Sequence, residues 1–226
     1  MRIGIIAAMP GELKPLVRGW PKMPVARGSG IAMWQTEREG NEVVAVCAGM
    51  GAAAARRAFT AAEFAGSLDM VLSVGWAGGL TDAQIRPAMD EIVDAQTGER
   101  LTLSAGTQRV VTTVQVADPK EKRRLRAAYA AVAVDMEAAT VARLAQMRGI
   151  PMHCFKAISD GPDTRLPDIN PFINIDGKLK MAAFLAHVAL RPQYWGSLIE
   201  MGGRSAKASV VLKLAIEKFL ADKAWS

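Results

Sequence analysis

Glu42-Val43-Val44-Ala45-Val46-Cys47-Ala48 is an apolar run of strand length, and Gly49-Met50-Gly51 turns it into the alanine-rich stretch 52–65. β-Branched residues suit an extended chain and alanine suits a helix, so this segment reads as strand, turn, helix. The alternation continues on both sides. Ile3-Gly4-Ile5-Ile6-Ala7 precedes a polar turn at 9–12, and the strand-like run 69–74 ends in Gly75-Trp76-Ala77-Gly78-Gly79. Residues 91–95 and 108–116 read as extended, 120–129 as a charged surface helix and 131–134 as a short strand. A helix over 137–148 is stopped by Gly149 and Pro151, and 152–158 is a last buried strand. Strands alternating with helices through short connections predict an α/β fold with a mixed or mostly parallel central sheet.

The chain has 226 residues, half of them hydrophobic and 22% charged, which excludes a disordered or collagen-like protein and suits one domain, 1–226. Lys and Arg number 28 against 22 Asp and Glu, a net charge of +6. The basic residues are scattered, without aromatic interleaving, so no nucleic-acid partner is expected. Cys47 and Cys154 lie far apart with no CxxC spacing, which argues against a disulfide scaffold or a cysteine-built zinc site and makes a reducing cytoplasm the expected setting. The apolar start is broken by Pro10, Gly11 and Glu12 before a secretory segment forms, and no window reaches the ~18 apolar residues of a membrane span.

Residues 177–226 read as a C-terminal helical extension. One helix over 181–190 should stop near Arg191-Pro192. After a break at Gly202-Gly203, a second over 206–223 presents Val210, Leu214, Ile216 and Leu220 at helical spacing. Such a stripe covers the sheet, meets a second copy in a dimer, or faces a lipid surface.

Ligands of open α/β sheets bind at the carboxyl ends of the strands. Four strands here end in unusual residues: Glu12 after the first, the Gly75–Gly79 loop, Met136-Glu137 after Val134, and Ser159-Asp160 after Ile158. Cleaving a glycosidic bond takes one carboxylic acid to protonate the leaving group and one carboxylate to activate water, around an oxocarbenium-like transition state. A third carboxylate can accept hydrogen bonds from sugar hydroxyls. Each residue also has a plainer explanation, since Glu12 and Glu137 suit helix N-termini and Asp160 suits a turn.

The opening Arg2–Met9 with Glu12, the stretch Gly75–Gly79, Val134-Asp135-Met136-Glu137-Ala138 and Ala157-Ile158-Ser159-Asp160 together resemble the purine nucleoside phosphorylase and nucleosidase superfamily. Within it the chain is similar to the 5′-methylthioadenosine/S-adenosylhomocysteine nucleosidase branch, and the motifs stand in family order over residues 1–165. The resemblance implies a three-layer α/β/α sandwich with a mixed central sheet, a homo-oligomer such as a dimer, no metal and no cofactor. It implies a small-molecule substrate, an adenine nucleoside with a 5′ substituent. Asp160 would protonate the purine, Glu12 would position or deprotonate water, Glu137 would bind the ribose hydroxyls and Met136 would pack on the sugar. Ser159, Trp76 and Gly78 would line the substrate site, and Val114 and Val116 lie where the family lines its base pocket.

Two departures stand out. Trp76 replaces a serine of the nucleosidase branch, which leaves open a protein that binds nucleosides without cleaving them. The glycine-rich, arginine-bearing loop that phosphorylases use for phosphate is missing, so hydrolysis is favoured, and phosphate would be a co-substrate only for a phosphorylase. The stretch Phe184–Trp195 resembles the hopanoid-associated phosphorylase sub-branch, which implies a lipid-bearing nucleoside and contact with a membrane surface through the C-terminal helices.

Other candidates are weaker. Gly49-Met50-Gly51-Ala52-Ala53-Ala54 approximates a dinucleotide fingerprint, but no acidic residue closes a following strand at the required distance. Ser159 lacks a G-x-S-x-G elbow. His153 and Cys154 are neighbours on a strand and should point to opposite faces, which leaves His187 without a metal-binding partner set.

Overall fold

The computed structural model describes residues 1–83 and 85–222. Its centre is a ten-stranded mixed sheet. Parallel strands β1 (Arg2–Ala7), β3 (Asn41–Cys47) and β4 (Met70–Gly79) lie side by side, with Ile5 level with Ala45 and with Leu72. The edge strand β2 (Ala32–Arg38) runs antiparallel to β3 through the two-residue turn Glu39-Gly40, both at positive φ, the geometry that matches strand twist in a tight hairpin. On the other side of β4, β10 (Met152–Asp160) is parallel and β9 (Ala133–Asp135) antiparallel. The sheet continues through β8 (Arg109–Thr112), β6 (Glu91–Asp94) and β7 (Arg100–Thr102), while the short β5 (Ala88–Met89) pairs with β10.

Alternation along the strands sends successive side chains to opposite faces, and both faces are covered. Ile3, Ile5, Val43 and Ala45 pack under α1 (Pro10–Leu13) and α6 (Trp195–Ala221), against Leu13, Leu212, Ile216 and Leu220. Ile6, Val44 and Val46 pack under α2 (Gly51–Phe64) and α4 (Ala138–Met147), where Ala54, Ala58, Phe59 and Val141 meet them. The expected three layers with a mixed sheet are thus the observed architecture. Helix α3 (Pro119–Tyr129) starts on Pro119, is capped by the Asp118 carboxylate accepting from the Glu121 N–H, and stops at Ala130 in the left-handed region. Helix α5 (Met181–Ala189) ends before Arg191-Pro192, as expected.

Several expectations need correction. Gly75–Gly79 is not a loop: it continues β4, paired with β10 through Gly78 and with β9 at Gly78 and Gly79. The run 108–116 leaves the sheet after Thr112, so Val114 and Val116 lie on a loop, where the Val116 N–H donates to Asn170. Helix α6 does not break at Gly202-Gly203. Two interior glycines cost about 1 kcal/mol each, but the buried face formed by Ser205, Ala208, Leu212, Ile216 and Leu220 outweighs them. Val210 and Leu214 lie on the exposed side of that helix, and Lys223, the last residue expected in it, lies outside the described residues. No helix among the described residues is long and apolar enough to cross a membrane.

Candidate active site

A cavity of about 180 Å³ opens where β1, β4, β9 and β10 end. Glu12, Trp76, Gly78, Val116, Met136, Glu137, Ser159 and Asp160 all line it, Trp76 and Gly78 from the end of β4 and Val116 from the loop after β8. Val114 does not. It faces an adjoining cavity and is 63% exposed.

Glu12 is set by the short turn of helix after β1. Its Oε2 accepts the N–H groups of Ala8 and Met9 at 2.8 Å each, and its Oε1 accepts that of Trp76 at 2.9 Å. The strand must pass very close for the third bond: a Cβ on Gly75 would stand 2.9 Å from Oε1, so any larger residue would push the carboxylate aside. Burial pushes the Glu12 carboxyl above the usual carboxylate range, against the pull of those N–H groups and of the Lys156 charge.

The Trp76 backbone therefore serves Glu12, while its side chain locks the back of the site. The indole N–H donates to Ser209 of α6 at 3.0 Å, and the Ser209 hydroxyl bonds to the carbonyls of Gly11 and Ser205, both at 3.0 Å. Helix α6 also lends Met201 and Ser205 to the cavity wall.

Glu137 follows β9 and accepts the Gly51 N–H at 2.6 Å. Burial pushes its carboxyl up to about 7, helped by the neighbouring charges of Asp135 and Glu12 and opposed by Lys156 and the Gly51 N–H. Beneath it runs a buried ionic layer. Lys156 of β10 and Asp135 of β9 are paired at 2.7 Å with both side chains out of solvent, and Asp135 also takes the Thr112 hydroxyl at 2.6 Å. Burial opposes the Lys156 charge, yet Asp135 and Glu137 hold its ammonium above the ordinary lysine range.

Asp160 is aimed by a β-bulge: between Ile158 and Asp160 the register with β4 shifts, and the extra residue is Ser159. The Ser159 hydroxyl donates to Asp160 Oδ1 at 2.8 Å. The other carboxylate oxygen accepts from Lys122 Nζ of α3. Helix α3 is therefore not wholly a surface helix, since Lys122 and Leu125 turn inward one helical turn apart.

Residues 2–89 and 91–187 match the family model described as the phosphorylase superfamily. The chain belongs to the phosphorylase superfamily. Its solved neighbours include the 5′-methylthioadenosine/S-adenosyl homocysteine nucleosidase of Helicobacter pylori, 18% identical, with a TM-score of 0.71 over 99% of this chain and 98% of that one. Futalosine hydrolase of the same organism gives the same identity, TM-score and coverage. The Neisseria meningitidis 5′-methylthioadenosine/S-adenosylhomocysteine nucleosidase is 17% identical with a TM-score of 0.69, over 97% of this chain and 99% of that one. At such identities the likeness establishes the fold. No curated protein matches the sequence.

Within this superfamily fold, the ionisable residues that sequence reading missed are Lys122, Asp135 and Lys156. Lys156 carried a signal, as a lone charge in the apolar strand 152–158. Lys122 carried none, because it sits among Lys120, Glu121, Arg123 and Arg124. Met201 and Ser205 of α6 were also missed, and they lie beyond the residues that match the family model.

Proposed function

We propose that this protein hydrolyses the N-ribosidic bond of an adenine nucleoside that carries an apolar 5′ substituent. The observation that supports it most is the convergence of Glu12, Glu137 and Asp160 on one cavity from three different strand ends. Breaking the bond leaves positive charge on the sugar and negative charge on the base. Asp160 and Ser159 face the base, where a proton is delivered as the bond opens. Glu137 accepts hydrogen bonds from the ribose hydroxyls and gains strength as the ring becomes cationic. Glu12, made more basic by burial, takes the proton of the attacking water.

Water is favoured over phosphate as the nucleophile for a stated reason. The N–H groups of Ala8, Met9 and Trp76 form the natural anion cradle at this rim, and the Glu12 carboxylate already fills it. A phosphate there would meet a like charge. Met9, Met50, Met136 and Met201 line the same cavity, an adaptable apolar surface suited to a greasy 5′ group. The chemistry needs no metal or cofactor.

Adenine release from 5′-methylthioadenosine, with and without phosphate, tests this reading. Turnover without phosphate is expected, and Asp160→Asn should lower kcat by about 10²–10⁴-fold with the circular dichroism spectrum unchanged. Turnover that depends on phosphate, or a folded Asp160→Asn protein with full activity, would overturn it.

A further inference from the structure

Lys122 is the one inward-facing cation of a basic helix, and its side chain is 2% exposed. Its stem lies across β4 at Gly78, where an added Cβ would stand 3.1 Å from Lys122 Cε. Its ammonium bonds to Asp160 and, at 2.7 Å, to the carbonyl of Gly161. An ammonium has three N–H groups, and Lys122 also lines the cavity. Burying such a charge is costly, and a methionine would fill the space more cheaply if packing were the only need.

Lys122 and Asp160 form a buried ion pair, an ammonium against a carboxylate. A carboxylate paired in this way only accepts hydrogen bonds and has no proton of its own to give to a departing base. Two groups hold a proton against its carboxylate, the Ser159 hydroxyl and the Lys122 ammonium, and of the two only the ammonium is left neutral by giving one up.

We propose that Lys122 is the proton source behind Asp160, a positioning residue that acts through that carboxyl group. The inference rests on the N-ribosyl hydrolase reading above. As the bond between C1′ and the base breaks, its electron pair leaves with the base. A ring nitrogen of the base takes a proton from the Asp160 carboxyl while Asp160 takes one from Lys122 Nζ. Asp160 ends as the carboxylate it was, and Lys122 ends neutral. The oxygen of water bonds to C1′, and the proton it sheds goes to Glu12. Lys122 then regains a proton from solvent and Glu12 returns one, so the cycle balances as nucleoside plus water to base plus sugar.

The test compares the wild type with Lys122→Met and Lys122→Arg on 5′-methylthioadenosine and on 4-nitrophenyl β-D-ribofuranoside, whose phenolate departs without a proton. Lys122→Met should lose about 10²–10⁴-fold in kcat on the nucleoside with KM little changed, and should retain its rate on the aryl riboside. Lys122→Arg keeps the charge and the ion pair, but a guanidinium does not give up its proton, so it should be as slow on the nucleoside as Lys122→Met. Equal losses on both substrates, or recovery of nucleoside turnover by arginine, would overturn the proposal. If the methionine variant does not fold, or the wild type rejects the aryl riboside, the arginine variant decides alone. A wild type that cleaves no nucleoside refutes the hydrolase reading itself. Full nucleoside activity in Lys122→Met refutes only the role of Lys122.

Discussion

Replacing Glu137 by glutamine should make the protein more stable in alkaline solution and leave it unchanged in acid. The carboxyl titrates at about 7 in the folded protein against 4.5 in an unfolded chain, chiefly because it is buried. The folded state therefore binds the proton more tightly. Below pH 4.5 both states hold it and the residue is neutral in effect. Between 4.5 and 7 the folded protein loses stability as pH rises, and above 7 the full penalty of a buried carboxylate is present. A tenfold difference in proton affinity is worth about 1.4 kcal/mol, so this interval amounts to about 3 kcal/mol. Glutamine keeps a carbonyl oxygen for the Gly51 N–H and removes the charge. For a chain of this length about 3 kcal/mol corresponds to roughly 6–12 °C in Tm. Thermal unfolding of both proteins from pH 4 to 9, in the absence of nucleoside, should give curves that coincide near pH 4 and separate by that amount at pH 8. A gap that stays constant with pH, or one that widens towards acid, would refute the placement of a carboxyl raised by burial at 137. The same substitution removes the carboxylate proposed above to anchor the ribose, so the more stable protein should be the less active one.

Lys156→Met should cost about 3–5 kcal/mol in urea unfolding, because it strands Asp135 without a counter-charge. Adding Asp135→Asn should recover much of that loss, and a cycle of the four proteins that shows simple additivity would sink the idea of a coupled pair. Gly75→Ala should leave the melting curve close to that of the wild type while depressing kcat, since its methyl group displaces the Glu12 carboxylate from the Trp76 N–H. Undiminished turnover in the alanine variant would show that the site tolerates a misplaced Glu12.

The central strands and the rim were legible because apolar period and strand-end residues are local signals. Val43 to Cys47 could not be buried on both faces without helices above and below. Strand β2 was illegible, because an edge strand alternates weakly and Gln35, Thr36 and Glu37 look like loop. The phase of α3 was also hidden: nothing in a run of charges says which one turns inward, and only the Leu125 contact with the sheet decides it. Gly202-Gly203 misled for the opposite reason, since a local cost was outweighed by packing between distant parts of the chain.

The hydroxyl of Ser209 binds the carbonyl of Gly11 across 198 positions of sequence, and it receives the Trp76 indole as well. The turn that carries Glu12 leaves the ribosome 198 residues before its anchor. Until that anchor emerges, the pocket lacks its back wall, and a nascent chain holds its carboxylates without a finished place to use them. Synthesis of that distant helix, and not the appearance of the three carboxylates, is the event that completes the cavity.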